Sequence, residues 1–382
     1  MTENPCHEDN ARPKVLLPMA PSLAVDLAGT PPPRLDQPFV QGSLEVPSGM
    51  VPRVSPRLDA RDYWGTIKAR FGVGRMRYTV DPGLYALGEP DENSPVLVSA
   101  NYKMSFDSLR GALPGRDAWI LVLDTKGINV WCAAGKGTFG TDELLLRIES
   151  SGLKDVVRHR NLIVPQLGGP GVAAHLVKRL SGFRVHYGPI DAKDLAAYLD
   201  AGMKATPAMR TKAFPLAERL VLVPIELVAA LKASLFIIPA MLLLSSLTGP
   251  NGFMQNMASE GIFSIIAVAA AIFSGAVLTP ALLPYLPGRA FSAKGFVMGI
   301  VTALVLIYFR GYSLSSFGSL LRAGAWLLMI PGASAYLAMN FTGASTYTSL
   351  SGVRKEMRWA LPLEISAMIA GLVMLTMTGF IP

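Results

Sequence analysis

The sequence predicts two domains of different class: a Rossmann-like α/β domain followed by an all-α transmembrane domain of about five helices. Three observations carry this. Between about Leu58 and Leu199, short apolar runs alternate with helical segments, the pattern of a parallel sheet with crossover helices. After about Leu216, apolar residues gather into stretches near the ~20 residues that a bilayer requires. Of all 382 residues 51% are hydrophobic and only 16% charged, and mean hydropathy is +0.38, too apolar for an ordinary soluble enzyme. The net charge of +8 needs no nucleic-acid partner, because much of it sits in Arg and Lys near the apolar stretches. The expected boundaries are a Pro-rich disordered arm over 1–57, the α/β domain over 58–205, a linker and amphipathic segment over 206–231, and the transmembrane domain over 232–382.

Taken in order, residues 1–57 hold eleven prolines, including Pro31-Pro32-Pro33, and show no sustained periodicity, hence the arm. Met1 to Asn10 is acidic and polar rather than basic then apolar, so no signal peptide is expected and the soluble part stays in the cytoplasm. Cys6-His7 is a weak metal site in such a tail. Pro95–Ser99, Ala118–Leu123, Asn161–Val164 and Phe183–Tyr187 read as strands. Ser105–Leu113, Thr141–Ser150, Gly171–Leu180 and Asp191–Leu199 read as helices, with Gly182 as a C-terminal stop.

The α/β pattern is organised around Gly127 to Thr138, which directly follows the second strand. If Asn129 to Lys136 is helical, then Asn129, Cys132, Ala133 and Lys136 share one face. Ala133, Ala134, Gly135 and Gly137 leave room for something flat and large against the backbone. A thiolate on such a helix suits a soft transition metal. Ligands in parallel sheets bind outside the carboxyl ends of strands, where this stretch lies.

The string Asn129-Val130-Trp131-Cys132-Ala133-Ala134-Gly135-Lys136 resembles the signature of the corrinoid protein of microbial mercury methylation. That family is related to the corrinoid iron–sulfur subunits of the acetyl-CoA pathway. The match is complete over eight residues, and the plan of a soluble domain before a membrane domain extends the resemblance over roughly residues 60–382. It implies that residues 58–205 bind cobalamin, that the string is a cap helix, and that Cys132 is the lower axial ligand of cobalt. It implies transfer of a cobalt-bound methyl group to inorganic Hg(II), giving methylmercury. It also implies two protein partners: a ferredoxin-like reductant with two 4Fe–4S clusters, and a methyl donor protein using methyltetrahydrofolate.

Each residue of the string also has a plainer reading. Cys132 taken alone reads as a small buried hydrophobe. Trp131 reads as a core anchor of the cap helix or as a corrin contact. Asn129 reads as the helix N-cap, which is compatible with a role in tying the cap helix down. Lys136 reads as a solvated charge at a helix end, or as a contact to corrin amides or phosphate. Thr138 and Thr141 read as caps of the next helix. Gly168-Gly169-Pro170-Gly171 reads as an ordinary turn or as a seat for an anion or nucleotide tail. Asn101-Tyr102-Lys103 with Ser105, after the first strand, can line the same crevice.

Other chemistries fail on spacing. The position five before Gly135 is Val130, and Gly137 rather than Ser or Thr follows Lys136, so no Walker loop is present. His159, His175 and His186 have no zinc spacing. Beyond Lys212, spans are expected near 232–248, 261–283, 295–310, 320–340 and 360–380, with Leu216–Leu231 lying on the membrane as an amphipathic helix. Arg289 and Lys294, and Arg354, Lys355 and Arg358, place two loops inside, whereas Arg310 and Arg322 flank an outside loop against the rule. Lys232 and Glu364 are expected near interfaces. The location is thus the cell (inner) membrane, multi-pass. Two alternatives stand: a methyl carrier of one-carbon or acetyl-CoA metabolism with another acceptor, and a permease with a nucleotide-binding domain.

Overall fold

The computed structural model describes residues 30–313, 315–341 and 350–380. Cys6 and His7 lie outside them. A seven-stranded sheet has the order β1-β2-β3-β5-β4-β6-β7, with β1 Val40–Val46, β2 Gly49–Val54, β3 Gly83–Leu87, β4 Val96–Ala100, β5 Ala118–Leu123, β6 Asn161–Val164 and β7 Arg184–Tyr187. The four strands β5-β4-β6-β7 are parallel, as the alternation predicts. β3 pairs antiparallel with β5, and the β1–β2 hairpin extends the margin, so the sheet is mixed.

The hairpin corrects the disordered arm over 1–57, for its residues 40–54. Proline count suggested disorder, yet Val51 and Val54 reach the core. Pro52 is tolerated because the hairpin is marginal, with β2 meeting β3 only at Arg53 and Val54.

Around the sheet lie α1 Ala60–Arg70, α2 Lys103–Gly111, α3 Val130–Lys136, α4 Thr141–Ser150, α5 Leu153–Val156, α6 Ala174–Ser181 and α7 Leu195–Asp200. β5 illustrates the packing. Trp119, Leu121 and Leu123 join one core with Leu144 and Ile148 of α4, while Ala118, Ile120 and Val122 join another with Phe106 of α2 and Tyr198 of α7. Both faces are covered, which is why the parallel strands read as unbroken apolar runs. Gly182 ends α6 at φ +83°, as expected of a C-terminal glycine.

Among the described residues, five helices are long and apolar enough to cross a membrane: α8 Leu216–Leu247, α9 Phe253–Ala281, α10 Phe291–Arg310, α11 Phe317–Asn340 and α12 Leu350–Met377. Phe236 is 81% exposed, an exterior suited to lipid rather than water. Phe214, Leu283, Phe291 and Phe341 cluster, so one end of the bundle gathers the starts of α8 and α10 and the end of α11.

Three expectations need correction. Leu216–Leu231 is no separate surface helix but the first half of α8; Arg219 is buried and donates to Pro280 O at 3.0 Å, tying α8 to α9. Arg310 is ion-paired with Glu260 at 2.8 Å, which removes much of its weight in the charge rule. Glu364 does not sit at an interface. It is buried, neither carboxylate oxygen has a partner among the described residues, and it lines an apolar cavity of about 620 Å³ between α8, α9, α11 and α12.

Candidate functional site

The cap stretch is launched by a loop held from β4. Asn101, just past β4, is buried; its Oδ1 accepts from Thr125 N–H at 3.1 Å and Gly127 N–H at 3.0 Å, and its Nδ2 donates to Asp124 at 3.1 Å. Thr125 Oγ1 donates to Ile128 O at 2.6 Å. Gly127 has φ +72°, and a Cβ there would stand 2.9 Å from Met76 O. The loop is therefore fixed on both sides before α3 starts.

α3 spans Val130–Lys136. Asn129 is its N-cap, accepting from Cys132 N–H at 2.9 Å, and Gly137 closes it in the left-handed region. Ala133 and Ala134 face inward and are buried; Gly135 and Lys136 are exposed; Trp131 and Cys132 are half-buried. Burial pushes the Cys132 thiol above its ordinary range, opposed by the Lys136 charge, the Asn129 side chain and the Arg75 charge.

Underneath lies a cavity of about 410 Å³, at the carboxyl ends of β4 and β6, where strand order reverses. Asn129, Val130 and Trp131 overhang it, with Tyr102 and Ser105 on one side and Pro165, Pro189 and Asp191 on the other. Trp131 thus lines the cavity instead of anchoring the core. Cys132, the next residue along α3, is not part of the lining. Tyr102 and Ser105 meet the crevice as predicted, but Asn101 serves the loop and Lys103 turns away into a buried network with Asp62, Asp107 and Arg110.

The glycine turn is a packing device. The N–H groups of Gly168, Gly169 and Gly171 already donate to Pro165, Gln166 and Gly168, leaving them no role in holding an anion. A Cβ on Gly171 would stand 2.0 Å from Phe139 O and 3.2 Å from Ala134 Cα. Gly171→Ala is therefore expected to lower stability by about 1–3 kcal/mol and to speed hydrogen exchange in α3, both measurable on the full chain. Thr141 does not cap α4 either. Its Oγ1 accepts from Ala173 N–H at 2.9 Å, pinning the same turn, and Thr138 Oγ1 is buried with no partner among the described residues. Arg75 beside Cys132 carried no signal in sequence spacing, since only the fold brings the turn after α1 to α3.

A family model described as CO dehydrogenase/acetyl-CoA synthase delta subunit (CdhD) matches residues 71–199. The acetyl-CoA decarbonylase/synthase complex subunit gamma of Methanopyrus kandleri is 36% identical over 123 residues, covering 32% of this chain and 26% of the relative. The corresponding subunit of Methanothermobacter thermautotrophicus is 34% identical over 128 residues (33% and 28%), and subunit gamma 2 of Methanosarcina thermophila is 37% identical over 133 residues (33% and 27%). The chain thus spans about a quarter of the length of these relatives. The similarity reaches from the turn after α1 to α7 and includes α3, while the hairpin and the five apolar helices lie outside the matched 71–199. The relation to acetyl-CoA pathway subunits that the cap motif implies is met over this segment. These matches carry no reference to mercury.

Proposed function

We propose that the chain is a membrane-held corrinoid protein that carries and transfers a methyl group. The reading rests first on Cys132: a soft donor on a short helix of small residues, the start of which overhangs a cavity outside the strand ends. The similarity of residues 71–199 to acetyl-CoA decarbonylase/synthase subunits supports the carrier role. The donor set fits, because a corrin supplies most of the cobalt's ligands itself and would need only one soft donor from the chain.

A bound corrinoid supplies the cobalt on which methyl is taken up and released. Cys132 Sγ is the side chain that would hold the cobalt, and coordination would favour its thiolate form. Lys136 and Arg75 oppose the burial that disfavours the thiolate. So held, the thiolate would donate electron density to the metal, as Cys does in haem proteins. Asn129 holds the helix start, Val130 and Trp131 form the roof of the cavity, and Ala133 and Ala134 seat the helix on the core.

Hg(II), a soft electrophile, is the acceptor we put first, on the strength of the eight-residue match. The second reading, a methyl carrier of one-carbon or acetyl-CoA metabolism with another acceptor, is the one that the similarity of residues 71–199 favours. In either reading the α/β domain sits on the cytoplasmic side of the cell membrane. It draws electrons from a ferredoxin-like protein with two 4Fe–4S clusters and methyl from a methyltetrahydrofolate-using protein.

The test is to load the full chain with methylated corrinoid and offer it Hg(II) or an acetyl-CoA decarbonylase/synthase complex. Methylmercury formed one for one with methyl lost is the expected result. Methyl lost only to the complex moves the second reading to first place, and methyl kept in both removes both.

A further inference from the structure

α1 has faces that the α/β core does not use. Asp62, Gly65 and Ala69 point inward. Outward stand Tyr63, Trp64 and Ile67, and the following turn adds Phe71, Val73 and Met76; Trp64 is 60% exposed and Met76 62%. So large an apolar patch on one short segment marks an interaction surface. Beside it, Arg61, Lys68 and Arg77 line a cavity of about 430 Å³ with Tyr78, Thr79, Lys103, Asp59 and Asp62; the Asp62 carboxylate is already paired with Lys103 and Arg110, and Asp59 accepts from the Asp62 N–H. None of Arg61, Lys68 and Arg77 has an ion-pair partner among the described residues.

Position selects the occupant. α1 packs against α8, the first of the five membrane-length helices. The patch is thus continuous with the helix that enters the bilayer. Its Trp and Tyr are the residue types of the lipid–water boundary, and its Arg and Lys are those drawn to anionic headgroups.

We propose that residues 60–77 dock the α/β domain onto the anionic lipid headgroups of its own membrane. Trp64, Ile67 and Phe71 sit at the acyl boundary, and Arg61, Lys68 and Arg77 take a headgroup phosphate in the cavity between them. The docking reaches the cap stretch, because the backbone of Met76 abuts Gly127, just before α3. Lipid contact thereby sets how the cap helix faces the membrane. The proposal rests on the membrane reading of α8 and not on the corrinoid.

The experiment uses the full chain in nanodiscs of phosphatidylcholine, with or without phosphatidylglycerol, brominated along the acyl chains. The Trp64 emission is isolated by subtracting Trp64→Phe. Bromine is expected to quench it, more strongly with phosphatidylglycerol. Phe71→Trp in the Trp64→Phe background is a second reporter with the same expected response. Combined Arg61→Gln, Lys68→Gln and Arg77→Gln lowers the docked-to-undocked ratio about a hundredfold, at about fivefold per cation, only where phosphatidylglycerol is present. Trp359, 45% exposed on α12, is quenched in every disc if the helices span, so failure of the membrane reading is seen separately. Emission of Trp64 and of the Phe71→Trp reporter untouched by bromine, while Trp359 is quenched, overturns the proposal. Quenching indifferent to the three cations, or a cavity occupied by added inorganic phosphate without lipid quenching, also overturns it.

Discussion

Replacing Cys132 with alanine is expected to lower methyl transfer from the corrinoid-loaded chain by about a hundredfold or more. Loss of a hydrogen-bonding partner behind a metal ligand already costs roughly 10–100-fold, and Cys132 is assigned as the ligand itself. The substitution removes little else. Cys132 is half-buried, its side chain lies outside the cavity lining, and its backbone N–H keeps the bond to Asn129. The helix should therefore persist, which circular dichroism and unchanged exchange in α3 would confirm. Transfer at the wild-type rate by an intact Cys132→Ala chain would sink the ligand assignment, whatever the acceptor.

The largest expected effect on stability lies behind the site. Arg110 is 1% exposed and donates from Nε to Asp107 at 2.8 Å, and from a terminal nitrogen to Asp62 at 2.6 Å and from the other to Ser55 O at 2.7 Å. Lys103 completes the network at 2.6 Å from both carboxylates. Arg110→Met keeps the bulk but leaves two buried carboxylates to one lysine. The expected loss is about 3–5 kcal/mol, the range found when one partner of a buried ion pair is removed. The network joins α1 to α2, so α1 is expected to loosen first, visible as early proteolysis within 57–77. A loss below about 1 kcal/mol in urea or thermal unfolding would mean that water replaces the guanidinium, contradicting the burial on which the figure rests.

Much of this was legible in the sequence, for identifiable reasons. α4 occupies Thr141–Ser150 as predicted because its apolar spacing and its acidic first turn agree. α3 was found because Asn129 supplies a cap, and Trp131 and Cys132 are rare types in a string of small residues; that Gly137 closes it was not read from the sequence. β3, Gly-Leu-Tyr-Ala-Leu, was missed because a short strand buried on both faces has no alternation to read. The hairpin was hidden by its prolines. Lys103 was placed in the crevice because its neighbours Tyr102 and Ser105 are there, while its partner Asp62 lies 41 positions away and leaves no local trace. Glu364 was assigned to an interface from its position along α12, which says nothing about the face it occupies.

The central claim is that Cys132 ligates the metal of a bound corrinoid, and one measurement reaches it directly. The full chain, reconstituted with cobalamin in detergent or nanodiscs, is compared with Cys132→Ala by visible and electron paramagnetic resonance spectroscopy. The account predicts that both chains bind the corrinoid and that the cobalt spectrum changes when the thiol is removed. Identical cobalt spectra, or a folded wild-type chain that binds no corrinoid, would contradict it.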